Sequence, residues 1–131
     1  MYYIKLIMKN NIFKLLEYLY YSSLVFLFIL YLFPGSLVGY FLYGNSGQQP
    51  NLIANPMGTS INHLIYFSYI TLLATIIRPY TKNILINYKI ILLISFVLEI
   101  LHFIIPNRVF ELYDLLANIL GVVLVLILNK F

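Results

Sequence analysis

The sequence predicts an all-helical membrane protein, a bundle of four transmembrane helices with a long outer loop after helix 1 and a tight hairpin joining helices 3 and 4. Three observations predict it. Of 131 residues, 63% are hydrophobic and 9% charged, whereas a soluble domain is about half apolar and about a quarter charged. A soluble chain this short cannot bury so much apolar surface, because small domains leave a large share of their surface in water. The apolar residues also gather in four runs, each near the length of about 20 residues that a helix needs to cross a bilayer core. Finally, the charges stand mostly at the ends of those runs. The length suits one domain, residues 1–131.

The first run, residues 15–33, carries Glu17 near its start. Lys5, Lys9 and Lys14 precede it, as before a secretory signal. The run is long for a signal h-region and no A-x-A-like site follows, so it reads as a retained anchor. The loop from Pro34 to Ser60 is uncharged and rich in turn signals, among them Pro34-Gly35, Gly44-Asn45, Pro50 and Pro56. Its apolar, aromatic start, Leu37 to Tyr43, is expected to lie in the interface or fold back over the bundle. With thirteen Tyr and no Trp, tyrosine has to supply the whole interfacial belt. The second run, 61–77, has Asn62 and His63 at its entrance. The third, 84–105, contains Lys89, Glu99 and His102. Pro106-Asn107-Arg108 then turns the chain, since proline lacks the donor that a continuing helix needs. The fourth run, 112–128, contains Asp114 and Asn118.

Orientation follows from the excess of Lys and Arg on cytoplasmic loops. With four spans, Lys5, Lys9, Lys14, Arg78, Lys82, Lys89 and Lys130 lie on one side, and Arg108 alone on the other. Both termini are therefore expected in the cytoplasm and the 34–60 loop outside.

The informative residues are the polar ones at membrane depth, where an ionisable side chain costs about 2.5–3.5 kcal/mol or more. Glu99 and His102 are three apart and share a helix face. Glu99 lies six residues from Ile105, about 9 Å below that end of the run. Glu111, Asp114, Asn118 and Gly121 form one stripe of a 3.6-residue helix. Gly121 suits close backbone approach. The hairpin brings Glu99, His102, Arg108, Glu111 and Asp114 to similar depth, with Asn62 and His63 entering from the same side. Arg108 is expected to pair with one acid, and another acid to be held above its usual range by desolvation and like charge. Bland roles compete: Asn118 as a helix-to-helix hydrogen bond, His63 or His102 as packing or capping residues, Glu111 as a solvated first-turn acid.

Glu99-x-x-His102, Pro106-x-Arg108 and Asp114-x-x-x-Asn118-x-x-Gly121 together resemble the signature of the VanZ-like membrane proteins, which show Glu-x-x-Gln, Pro-x-Arg and Asp-x-x-x-Asn-x-x-Gly across their last two helices. His102 stands where the family usually has Gln. Thr59-Ser60-Ile61-Asn62-His63 resembles the family's Asp-Lys-x-x-His element, with only His63 matching. Phe33-Pro34-Gly35-Ser36 also fits, so the likeness covers roughly residues 25–130. It implies a multi-pass protein of the bacterial inner membrane and cell envelope. The founding member of the family is associated with reduced susceptibility to teicoplanin-type glycopeptides.

The absence of Cys excludes disulfides and Cys-ligated metals. The net charge of +4 is spread too thinly for a nucleic-acid surface. No cofactor or metal is expected. Four functions compete. The preferred one is a non-catalytic envelope protein whose outer-leaflet pocket, built from Glu99, His102, Arg108, Asp114, Asn118 and His63, binds a lipid head group or lipid-linked cell-wall component. The others are a small membrane enzyme acting on a lipid-linked substrate, with Glu99, His102 and Asp114 for acid–base or metal chemistry, a transporter, and a structural assembly partner. No H-E-x-x-H or G-x-S-x-G motif supports the enzyme. Homo-oligomerisation stays open.

Overall fold

The computed structural model describes residues 2–50 and 58–130. Pro56 lies outside the described residues, as do the side chains of Lys5 and Lys9. Among the described residues the chain is all-helical, with no strand. Its α-helices are α1 (Tyr2–Leu32), α2 (Leu37–Tyr43), α3 (Ser60–Ile77), α4 (Tyr88–Leu101) and α5 (Leu112–Leu128), with 3-10 turns at Arg78–Tyr80 and Ile84–Ile86. Two stretches are long and apolar enough to cross a membrane, Asn11–Leu32 and Ser60–Tyr80.

The third apolar run departs from expectation. Residues 84–105 are not one helix: α4 has 14 residues, about 21 Å of rise. Two asparagines break its start. Asn83 Oδ1 accepts from the Leu85 amide and Asn87 Oδ1 from the Lys89 amide, both at 3.0 Å. Each is an N-cap, so each begins a new helical segment instead of continuing one. At the other end the chain leaves the helix at His102, whose amide bonds back to Glu99 and Ile100. It then turns through Asn107 in the left-handed region, φ 59°.

Helix α5 packs mainly along α3, and α4 along α5; α1 closes the bundle against α3 and α4. Gly121 permits the α3–α5 approach. A Cβ there would lie 2.6 Å from the Leu64 carbonyl oxygen and 3.0 Å from the Ser68 amide. The predicted polar stripe faces this seam: Asp114, Asn118 and Gly121 are buried, while Glu111 stays at the surface.

The buried core is mostly apolar, but it also takes in polar groups, and much apolar surface stays exposed. Glu99, Asn118, Thr71 and Ser95 are fully buried, whereas Leu93, Phe96, Leu116, Leu120 and Leu124 on α4 and α5 are exposed. Buried polar groups and broad exposed apolar surface are the informative deviations from the ordinary pattern.

The loop between α1 and α3 folds back on itself. Ser36 caps α2 by accepting from the Gly39 amide at 2.9 Å. The Gln48 carbonyl oxygen sits 1.6 Å from where a Gly39 Cβ would be, so only glycine fits there. Tyr40, Phe41, Leu42 and Tyr43 remain exposed. The Asn62 side-chain amide donates to the Pro50 carbonyl at 3.0 Å and ties the loop to α3.

Candidate functional site

One end of the bundle gathers the end of α1, the start of α3, the end of α4 and the start of α5. Antiparallel neighbours put these four ends at one level, and the polar residues occupy that level. Asp114, in the first turn of α5, is 5% exposed. Its Oδ1 accepts the Ser60 hydroxyl at 2.6 Å, and its Oδ2 lies 3.4 Å from His63 Nε2. Ser60 and His63 are one turn apart on α3, so one carboxylate can meet both. His63 Nδ1 meets the Tyr31 hydroxyl at 2.6 Å and Asn118 Oδ1 at 3.3 Å. The Tyr31 hydroxyl also donates to Asn118 Oδ1 at 3.0 Å.

A second pair stands across the Tyr31 ring. His102 stacks on that ring, centroids 5.3 Å apart at 20°. Its Nδ1 is 3.2 Å from Glu99 Oε1, which also accepts the Glu111 amide at 3.2 Å. Three buried polar atoms have no hydrogen-bond partner among the described residues: Glu99 Oε2, His102 Nε2 and Asn118 Nδ2.

Arg108 does not form the expected ion pair with an acid. Its Nε donates to the Phe33 carbonyl at 3.3 Å, and its Nη2 to the Leu30 carbonyl. The physical reason is the end of α1. The last carbonyls of a helix have no intrahelical donor, and a guanidinium offers two parallel N–H groups to satisfy a pair of them. Partial burial lowers the Arg108 pKa, countered by Tyr31, Glu99 and Asp114 in that order; arginine remains a cation. The acid held above its usual range is Glu111, through partial loss of its water first and then the charges of Asp114 and Glu99.

Beside this network lies a cavity of about 130 Å3, whose lining includes the polar residues Arg108, His102, His63, Tyr31, Asn62 and Gln49 and the apolar residues Leu27, Leu30, Leu37 and Val38. One water needs about 10–15 Å3 of such space, so a group of several heavy atoms fits. Of the residues singled out in the sequence, His63, Glu99, His102, Asp114 and Asn118 join the hydrogen-bonded cluster or its stacked neighbour. Arg108 lines the cavity, and Gly121 lies below on the α3–α5 seam. Tyr31 and Ser60 were missed. Tyr31 is hidden among thirteen tyrosines; its signal is position, two residues before the Phe33-Pro34 turn and level with His63. Ser60 is visible only as the residue one turn before His63.

Ser60 and His63 do not form the nucleophile–base pair of a triad. Such a triad needs the hydroxyl on the imidazole, but Ser60 gives its proton to Asp114. No group of three or more His, Asp or Glu side chains among the described residues is placed to hold a metal ion. No family model, curated protein or solved structure matches the chain.

Proposed function

We propose that the chain is a VanZ-like, four-span protein of the bacterial cytoplasmic membrane whose outer-leaflet cavity binds the anionic head group of a lipid or lipid-linked envelope component. The observation that carries this reading is the cavity lining. It holds one guanidinium and two imidazoles and no carboxylate, together with several apolar side chains. The acids stand behind the histidines, away from the cavity. Two of the five Arg108 donors are used on α1, and no hydrogen bond among the described residues takes the other three.

The four-span count is supported by the alternating direction of α1, α3, α4 and α5 and by their exposed apolar faces. The basic residues Lys14, Arg78, Lys82, Lys89 and Lys130 all fall at the end of the bundle opposite the cavity, and this distribution supports the reading that the cavity faces outward. A resemblance in the last two helices to the VanZ-like pattern agrees with this location.

Two experiments test the reading. The chain has no Cys, so single cysteines at Asn45 and Lys130 can be probed with a membrane-impermeant maleimide in whole cells. Asn45→Cys should label and Lys130→Cys should not; the reverse sinks the orientation. Purified protein should be stabilised by lipids with anionic head groups, and Arg108→Ala should abolish that effect. Equal stabilisation in the variant would remove the head-group site.

A further inference from the structure

The head-group reading leaves the ligand's chemistry open, and the inference drawn here rests on that reading. Both histidines at the cavity are backed by an acid, Asp114 behind His63 and Glu99 behind His102. They differ in what remains available. Both ring nitrogens of His63 have partners, Nε2 with Asp114 and Nδ1 with Tyr31 and Asn118. His102 uses Nδ1 on Glu99, while Nε2 is buried and without a partner among the described residues. His102 is 3% exposed and lines the cavity. Its ring is fixed from two directions, by the stack on Tyr31 and by the bond to Glu99.

We propose that Arg108 and His102 form a two-point subsite for a phosphate ester. The side edge of the guanidinium, Nε and Nη2, faces the α1 carbonyls. The end edge, Nη1 and Nη2, keeps a fork of donors that matches two oxygens of one anion. A planar carboxylate is exhausted by that fork. A tetrahedral phosphate carries a further oxygen in a different direction, and His102 Nε2 supplies the second point. When the imidazole is protonated both ring nitrogens donate, one to Glu99 and the other to the phosphate. Glu99 is then a positioning residue: it holds Nδ1 and so fixes the ring that carries Nε2. The phosphate can belong to a lipid head group or to a free phosphate compound, and the apolar lining residues Leu27, Leu30, Leu37 and Val38 favour the lipid.

The test uses the full chain purified in maltoside micelles, which contain no phosphate, and calorimetric titration with four probes. Dioctanoyl phosphatidic acid should bind at least about tenfold tighter than dioctanoylglycerol hemisuccinate, a carboxylate on the same chains, since a hydrogen bond to a charged group is worth that much. Neutral dioctanoylglycerol should not bind measurably, and inorganic phosphate should compete more weakly than the lipid. His102→Phe preserves the aromatic stack on Tyr31 and removes Nε2. It should remove the preference, so that the ratio of the phosphatidic acid and hemisuccinate affinities falls to about one. His102→Gln returns a donor and should restore part of the preference. Glu99→Gln keeps an acceptor for Nδ1 without the charge and should narrow the phosphate preference in protein of unchanged unfolding temperature. An unchanged preference in His102→Phe, or equal wild-type affinity for phosphate and carboxylate, overturns the subsite while leaving the head-group reading intact. Absence of binding to either anionic lipid overturns the head-group reading itself. Inorganic phosphate binding as tightly as the lipid sustains the subsite and overturns the lipid source.

Discussion

Gly121→Ala is a direct test of the seam that carries the site. A Cβ at that position meets the Leu64 carbonyl oxygen at 2.6 Å and the Ser68 amide nitrogen at 3.0 Å, where ordinary contact begins at 3.4 Å. Both atoms are helix backbone and cannot rotate aside, so α5 and α3 must separate by about 0.8 Å at that level. Overpacking of this kind costs about 1–3 kcal/mol. Alanine's higher helix propensity offsets about 1 kcal/mol of it. Because the obstruction is backbone, the upper part of the overpacking range applies, and the net loss is about 1–2 kcal/mol, or about 5- to 30-fold in the folded-to-unfolded ratio. The shift also weakens the Ser68 hydroxyl bond to the Gly121 carbonyl, 3.2 Å long. Far-UV circular dichroism during titration of maltoside micelles with dodecyl sulfate reads the midpoint. Gly121→Ala should unfold at a lower dodecyl sulfate fraction than the wild type. An equal or higher midpoint would refute the close-packed seam.

Other substitutions address other parts. Tyr31→Phe removes the hydroxyl shared by His63 and Asn118 and should cost about 1–3 kcal/mol, read by the same titration, because buried partners are left under-satisfied. Gly39→Ala places a methyl group onto the Gln48 carbonyl; the loop between α1 and α3 should become sensitive to limited proteolysis while α3 and α5 stay protected. Arg108→Lys retains charge but not the two-pronged donor, so the α1 carbonyls lose a bond and the unfolding temperature should fall. Glu111 has its pKa raised above 4.5 by burial, Asp114 and Glu99. The folded state therefore binds its proton more tightly than the unfolded state, and this acid's contribution to stability falls as pH rises from about 4.5 through the folded pKa. Glu111→Gln should flatten that part of the stability–pH curve; an unchanged curve would remove the assignment.

Much of this structure was legible in the sequence, for identifiable reasons. Helix α5 was readable because Pro106 and the loop after it set its start and an apolar 3.6-residue pattern filled it. The pairing of Glu99 with His102 followed from helical spacing. The third run was misread because hydropathy averages over Asn83 and Asn87, whose effect is local hydrogen bonding and not transfer energy. The partner of Arg108 was misread for a related reason: side-chain charges can be counted along a sequence, whereas the unsatisfied carbonyls of Leu30 and Phe33 appear only once the end of α1 is placed beside the hairpin. Tyr31 belongs to the same class. Its importance comes from the neighbours that surround it, His63, His102 and Asn118, which three separate helices supply.

The bond between Arg108 and the end of α1 also imposes an order of assembly. Phe33 and Arg108 are 75 positions apart, so the carbonyls closing the first helix are made long before their donor. Until the last hairpin is synthesised, the carbonyls at the carboxyl end of α1 lack that donor. The chain's final segment thus acts as a clasp, and truncation before Arg108 would leave the first helix with its end unfastened.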